Sequence, residues 1–292
     1  MNNETLLKDK AVLITGATSG IGRQAAKAFA SQGAFVIGVG RSAPRCEAAA
    51  EEIRQRHTQA QVKFPVADLS SQGQVRKLAD QVASLLAQSG YQRLDVLVNN
   101  AGIYSGKRVS TLDCVELTLA VNHLAPFLLT HELLPLLRAA PAGRVITVSS
   151  DSHFNTFLNY NRLARPLLYN GLWAYKVSKL SNILFTREFN RRNAQTNLHA
   201  YAVDPGLVNT EIGLKNTDWL SRTVWQARRK KGVSPEVPVR TILYLASEPG
   251  LQDSPETYWH DCQPKTPSRL AQSDAAAARL WDLSCRLCGI IA

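Results

Sequence analysis

Apolar residues fall into short runs separated by longer stretches of helical spacing. The runs cover residues 11–15, 34–39, 61–66, 94–98, 144–149 and 198–203. Each has strand length and few charges, the pattern of a strand buried on both faces. Helical spacing marks residues 20–31, 44–57, 71–89, 112–137 and 173–192. The alternation predicts an α/β fold: a parallel sheet covered by helices on both sides. Right-handed crossovers then place a ligand at the carboxyl ends of the strands, where strand order switches. No repeat and no linker rich in Gly, Ser or Pro divides residues 1–292, so one domain is expected. Two segments break the rhythm. Residues 151–171 carry Phe154, Phe157, Tyr160 and Tyr169, and residues 209–233 carry Trp219, Trp225 and the basic run Arg228–Lys231. Long connections in a compact fold are commonly functional, and their apolar content argues against disorder. They read as a substrate loop and a lid.

Composition narrows the class. A chain of 292 residues suits one large domain or two small ones, because single cores stop growing near ~250–300 residues. A 45% hydrophobic and 20% charged sequence is ordinary for a globular protein and predicts no long disorder. The 34 basic residues exceed the 23 acidic ones, a formal +11 that favours anionic ligands or surfaces. No Lys/Arg block is longer than Arg228–Lys231 and no nucleic-acid motif is present, so no nucleic-acid partner is expected. That block could attract an acidic substrate or an anionic membrane, or simply face water, the commonest fate of such a run. Cys46, Cys114, Cys262, Cys285 and Cys288 are odd in number and scattered, which points to a reducing compartment. Cys285 and Cys288 lack a second pair at ligand spacing, so no metal is expected. Residues 1–10 resemble neither a signal peptide nor an anchor, and no apolar run reaches the ~20 residues of a membrane span. The expected location is cytoplasmic, with no transmembrane segment.

The first chemical signal follows the first strand: Thr15, Gly16, Ala17, Thr18, Ser19, Gly20, Ile21, Gly22, then a helix. Glycines there permit a tight turn and a close backbone approach to a pyrophosphate, which the helix N-terminus faces with free N–H groups. A glycine triplet alone is weak evidence; one between a buried strand and a helix is much stronger. The second strand ends Val39-Gly40-Arg41-Ser42, without the acid that would bind ribose hydroxyls. Arg41 instead offers a planar cationic fork suited to a 2′-phosphate, with Arg45 and Arg23 as further charge. The pattern predicts NADP(H) over NAD(H).

Here the sequence resembles the short-chain dehydrogenases/reductases. The resemblance rests on Thr15–Gly22, on Asn99-Asn100-Ala101-Gly102, on Tyr175-x-x-x-Lys179 and on Pro205-Gly206, in family order. Ser149-Ser150-Asp151-Ser152-His153, the segment 178–185 and the tail containing Tyr258, Trp259 and Trp281 look like the retinol-dehydrogenase and WW-domain-oxidoreductase branch. The resemblance implies a single-domain Rossmann fold with a doubly wound, mostly parallel seven-stranded sheet. It also implies a homodimer or homotetramer through the fourth and fifth helices. For the cofactor, it implies contacts from Gly16, Thr18, Ser19, Gly20, Ile21 and Gly22; from Asp68 and Leu69 near the adenine; and from Asn100, Ala101 and Gly102. Tyr175, Lys179, Pro205, Gly206, Val208 and Thr210 would line the nicotinamide end. Asp68 could equally cap the next helix.

Residues four apart share a helix face, so Tyr175 and Lys179 point into one cleft. A free phenol titrates near ~10, and a neighbouring ammonium favours its phenolate. Tyr175 then becomes a proton donor or acceptor for an alcohol or ketone. Ser150 can stabilise charge on the substrate oxygen; Ser149 competes by proximity, and the family pattern favours Ser150. Asn122, mid-helix where an amide is disfavoured, corresponds to the family residue that binds a relay water. His153 reads as a loop or pocket residue. The expected activity is NADP(H)-dependent hydride transfer to or from a lipophilic alcohol or carbonyl: a steroid, a retinoid-like aldehyde or another hydrophobic ketone. The alternative is an NADP-binding sensor or scaffold without turnover, against which the set Asn122, Ser150, Tyr175 and Lys179 argues.

Overall fold

The computed structural model describes residues 7–209 and 232–290. Its strands are β1 (Ala11–Thr15), β2 (Phe35–Val39), β3 (Val62–Lys63), β4 (Val96–Asn99), β5 (Gly143–Val148), β6 (Leu198–Val203), β7 (Tyr258–His260) and β8 (Gln263–Pro264). They form one sheet in the order β3-β2-β1-β4-β5-β6-β7-β8. The first seven pair in parallel, as expected; the two-residue β8 adds an eighth, antiparallel to β7. Strand order reverses between β1 and β4, which sets the crevice where a dinucleotide would lie.

Alternation along the central strands feeds two cores. Leu13, Leu97 and Val145 enter one, with Val75, Leu86, Phe127 and Phe185. Val12, Ile14, Val98 and Ile146 enter the other, with Phe29, Ile53, Ile242 and Trp259. The covering helices are α1 (Gly20–Ser31), α2 (Ala43–Arg56), α3 (Gln72–Gln88), α4 (Leu117–Leu119), α5 (Ala125–Glu132), α6 (Leu134–Arg138), α7 (Gly171–Arg192), α8 (Glu236–Ser247) and α9 (Asp274–Cys288).

Two expectations change. The run 61–66 yields only the two-residue β3 plus a bridge from Gly40 to Val66, because Pro65 has no N–H for the ladder. The helix expected over 112–137 is broken into α4, a π-helical turn at Ala120–Leu124, α5 and α6. Proline explains the junctions on either side of α5. Pro126 offers no N–H to the carbonyl of Asn122 four residues back, and Pro135 offers none to His131. Glu116 starts the segment by accepting from the N–H groups of Thr118 and Leu119, both at 2.9 Å.

The chain's C-terminal helix locks onto this side. Gln72 donates to the Leu287 carbonyl at 2.9 Å and Arg76 to that of Cys288 at 2.6 Å. Cys285 and Cys288 are buried free thiols in the first core. Burial pushes the Cys288 thiol up to about 12. No cluster among the described residues could hold a metal ion, and no helix among them is long and apolar enough to cross a membrane.

His123, in the π-helical turn, is fully buried with Nε2 2.9 Å from Ser284 Oγ on α9. Burial pulls its pKa from 6.5 down to about 4. Between those values the unfolded chain binds the proton and the folded chain does not, so stability falls as pH drops. One pKa unit is ~1.4 kcal/mol, so this side chain alone withdraws ~3 kcal/mol across the window. His153, also lowered by burial, adds to the slope. Urea midpoints from pH 7 to 4 should fall steeply, and less steeply in His123→Gln. An unchanged slope in that variant would refute the assignment.

Candidate active site

The predicted residues gather at the carboxyl ends of consecutive strands. The glycine loop follows β1, Arg41 follows β2, Asp68 and Leu69 follow the bridge beyond β3, and Asn100, Ala101 and Gly102 follow β4. Ser150 follows β5, and Pro205 and Gly206 follow β6. Val208 forms a bridge with Val233, which pins together the two ends of the segment between them. Thr210, Trp219, Trp225 and Arg228–Lys231 lie outside the described residues.

The glycine loop is shaped from two sides. Gly16 and Gly20 adopt φ of 68° and 53°, which favours glycine. Thr15 Oγ1 accepts from the N–H groups of Asn100 and Ala101, both at 3.0 Å. Asn100 Nδ2 returns a bond to Thr15 O at 2.8 Å and a longer one to Gly16 O at 3.4 Å. The two signature segments are thus stitched together. A Cβ on Gly22 would strike Asn100 Nδ2 and the Gly16 carbonyl. Ser19, at the N-terminus of α1, makes no side-chain cap bond, and the first turn holds no acid. By contrast, Ser71, Asn170 and Ser273 cap α3, α7 and α9. The α1 start therefore keeps donors for an anion, and these residues fit a dinucleotide.

Arg41 and Arg45 are exposed, and neither has an ion pair among the described residues. Arg23 differs from expectation: its guanidinium is paired with Glu52, which also takes Lys27 at 2.5 Å. It is spent within the fold. Asp68 also differs. Its Oδ1 accepts from Ser70 N at 2.9 Å in a local turn, and Ser71 is the cap of α3. A cap must sit beside the first helical turn, and Asp68 precedes it by too much.

Asn170 caps α7, and Gly171 lets the helix start lie against the Ser105 carbonyl and 3.1 Å, measured from an ideal Cβ, from Gly106 Cα. From α7 come Tyr175, 9% exposed, and Lys179, 3% exposed. Lys179 Nζ sits 5.5 Å from the Tyr175 ring centre and donates to the Val148 carbonyl at 2.9 Å. Burial pulls its pKa from 10.5 down to about 8, so it still carries charge at neutral pH. Tyr104 tilts against Tyr175 with centroids 6.2 Å apart. Asn122 is fully buried: its Oδ1 accepts from Ile103 N at 2.7 Å, and its Nδ2 donates to Ile103 O at 2.9 Å and to Ser178 Oγ at 3.0 Å. It joins the turn after β4 to the α7 segment carrying Tyr175.

The two candidate serines separate. Ser149 is buried and donates to the Lys179 carbonyl at 2.7 Å, so its hydroxyl serves packing. Ser150 is half-buried; its Oγ accepts from Ser152 N at 3.1 Å and lies 2.8 Å from Ser152 Oγ. His153 is a fully buried link: Nδ1 lies 2.8 Å from the Ser150 carbonyl, and Nε2 accepts from Ser268 N at 3.0 Å. Sequence reasoning gave Asp151 no role and missed Asp204 and Lys265; the three meet beside this loop. The only signal was an acid directly before Pro205-Gly206. The segment 151–170 exposes Phe157, Leu167 and Leu168 and is tethered by the Tyr169 hydroxyl, 2.9 Å from the Ser105 carbonyl.

The chain is similar to known proteins over nearly its whole length. The short chain dehydrogenase family matches residues 10–221. Human dehydrogenase/reductase SDR family member 13 is 38% identical over 97% of this chain and 74% of its own. Human retinol dehydrogenase 12 is 36% identical over 97% of this chain and 88% of its own. A crystal structure from Mycobacterium paratuberculosis superposes with a TM-score of 0.72 at 34% identity, covering 97% of this chain and 95% of that one. A structure from Beutenbergia cavernae with bound NADP at low occupancy gives 0.68 at 26% identity, covering 89% and 97%. The chain is an oxidoreductase of the short-chain dehydrogenase family, in its retinol dehydrogenase-like branch.

Proposed function

We propose that this oxidoreductase uses NADP(H) to interconvert a lipophilic alcohol and its carbonyl, with Tyr175 as proton carrier. The observation that carries the reading is the Lys179 ammonium, buried beneath the Tyr175 ring. Among the described residues Lys179 has no carboxylate partner; a charge buried in that way is expensive and is seldom kept without a chemical role. It favours the phenolate and so eases proton exchange at Tyr175 Oη. Ser150 donates to the substrate oxygen and stabilises its developing charge. Asn122 holds α7 and the turn after β4 in register. When bound, the cofactor supplies or accepts the hydride. Gly16, Thr18, Ser19, Gly20, Ile21 and Gly22 would hold its phosphates, Asp68 and Leu69 its adenine side, and Asn100, Ala101 and Gly102 its ribose. Lys179 would reach the nicotinamide ribose, beside Pro205, Gly206 and Val208. Phe157, Leu167 and Leu168 favour an apolar substrate, consistent with a retinoid- or steroid-like compound. The test is NADPH consumption over a panel of hydrophobic aldehydes and ketones. No turnover with any of them, despite tight NADPH binding, would favour a silent sensor.

Arg41 sets the cofactor preference in this reading. A charge-assisted bond to phosphate contributes ~1.5–3 kcal/mol. Arg41→Ala should therefore weaken NADPH binding by ~10-fold or more and leave NADH unchanged, by fluorescence titration. Equal affinity of the unaltered protein for both would remove Arg41 from this role.

A further inference from the structure

The loop of Ser150 and the Pro205-Gly206 turn are gripped from behind by residues beyond the stretch that matches the family. The β7–β8 hairpin returns the chain so that Lys265 N–H donates to the Tyr258 carbonyl at 2.8 Å. The Lys265 ammonium then lies 2.5 Å from Asp151 Oδ2 and 2.7 Å from Asp204 Oδ2. Asp204 is 2% exposed. Its other oxygen accepts from Asp151 N at 3.3 Å and from Gly206 N at 3.1 Å. One carboxylate therefore holds the residue after Ser150 and the turn after Pro205. Tyr258 OH donates to Asp151 Oδ1 at 3.2 Å, and His260 Nδ1 lies 3.0 Å from the Asp204 carbonyl. Three residues beyond Lys265, Ser268 N–H engages His153, whose Nδ1 lies 2.8 Å from the Ser150 carbonyl. Two independent fastenings from one C-terminal segment thus converge on Ser150.

Pairing of this kind is a weak source of stability, because desolvation offsets most of the attraction. What it does supply is fixed geometry. We propose that Lys265 is a positioning residue: through Asp151 and Asp204 it fixes Ser150 relative to the Pro205-Gly206 turn. This rests on the reading of Ser150 as the donor to the substrate oxygen. Removing the ammonium leaves two carboxylates facing each other, one of them buried, and drives the two loops apart. The glycine loop, Arg41 and the Tyr175–Lys179 pair lie on other elements and keep their places.

The experiment compares Lys265→Met and Lys265→Arg with the unaltered chain. Lys265→Met should lower kcat ~10-fold or more, since small misplacements of a reacting group are costly, and raise KM for NADPH by less than that, because the phosphate cradle lies on other elements. Amide exchange should quicken in peptides spanning residues 150–153 and 204–206 and not in the glycine loop. Lys265→Arg, which keeps the charge, should recover most of both. A folded Lys265→Met protein with unchanged kcat, or with unchanged exchange in both peptides, overturns the proposal. Should the unaltered chain bind NADPH and turn over no carbonyl compound, the enzyme reading fails by itself, and the exchange result still decides the clamp.

Discussion

Tyr175→Phe should abolish turnover and change little else. The ring is 9% exposed and is held by Tyr104 at 6.2 Å and by the Lys179 ammonium at 5.5 Å. Phenylalanine keeps the ring, its packing and its attraction for the cation. Only the hydroxyl is lost, and with it the group that exchanges a proton with substrate. General acid–base catalysis contributes ~10²–10⁴-fold, so kcat should fall ~10³-fold. NADPH affinity should stay within ~3-fold, because the cradle for the phosphates lies on β1, α1 and β4. The melting temperature should move by only a few degrees. The comparison is steady-state kinetics beside fluorescence titration on the same preparation. A Phe variant with full turnover would strip Tyr175 of its role; a variant that also lost NADPH binding would mean the phenol holds cofactor rather than moving a proton.

How much of this was legible in the sequence depends on what sets each feature. The central strands were readable because β1, β4 and β5 are buried on both faces, and such strands must be apolar throughout. The glycine loop was readable because backbone conformation, and not packing, demands glycine at Gly16 and Gly20. The broken helix near Asn122 was written in Pro126 and Pro135, but apolar periodicity alone runs straight through them. Arg23 looked free because Glu52, its partner, sits 29 residues away on another helix. Asp68 and Ser71 both follow the third strand, and only the hydrogen bonds decide that Ser71 caps. The clamp of Asp151, Asp204 and Lys265 was invisible for the same reason: its members are separated by 53 and 61 residues. Propensity and spacing report local demands, whereas charge partners across the sheet ends are set by topology.

Gly22→Ala tests the cofactor cradle without touching any chemical group. An added methyl would lie 2.9 Å from the Gly16 carbonyl carbon and closer still to its oxygen and to Asn100 Nδ2. None of these atoms is free to retreat. Asn100 Nδ2 is bound to Thr15 O at 2.8 Å, and the Asn100 and Ala101 N–H groups are bound to Thr15 Oγ1. Gly16 itself is fixed at φ 68°, a backbone conformation other residues rarely adopt. The loop must therefore shift, and it is the surface a pyrophosphate would approach. Overpacking of this kind costs ~1–3 kcal/mol, or several degrees in melting temperature. The loss of NADPH affinity should be larger, ~100-fold, because the donors at the α1 N-terminus move off their target together. Gly73→Ala is the matching control. It lies exposed in the first turn of α3, where an added Cβ meets only Ser71 Oγ at 3.8 Å. There alanine should stabilise by ~0.5–1 kcal/mol through helix propensity and leave NADPH binding as it was. Calorimetric titration of both variants separates the two cases. If Gly22→Ala bound NADPH as tightly as Gly73→Ala does, the loop after β1 would not be the phosphate cradle, and the cofactor would have to enter the strand ends by another route.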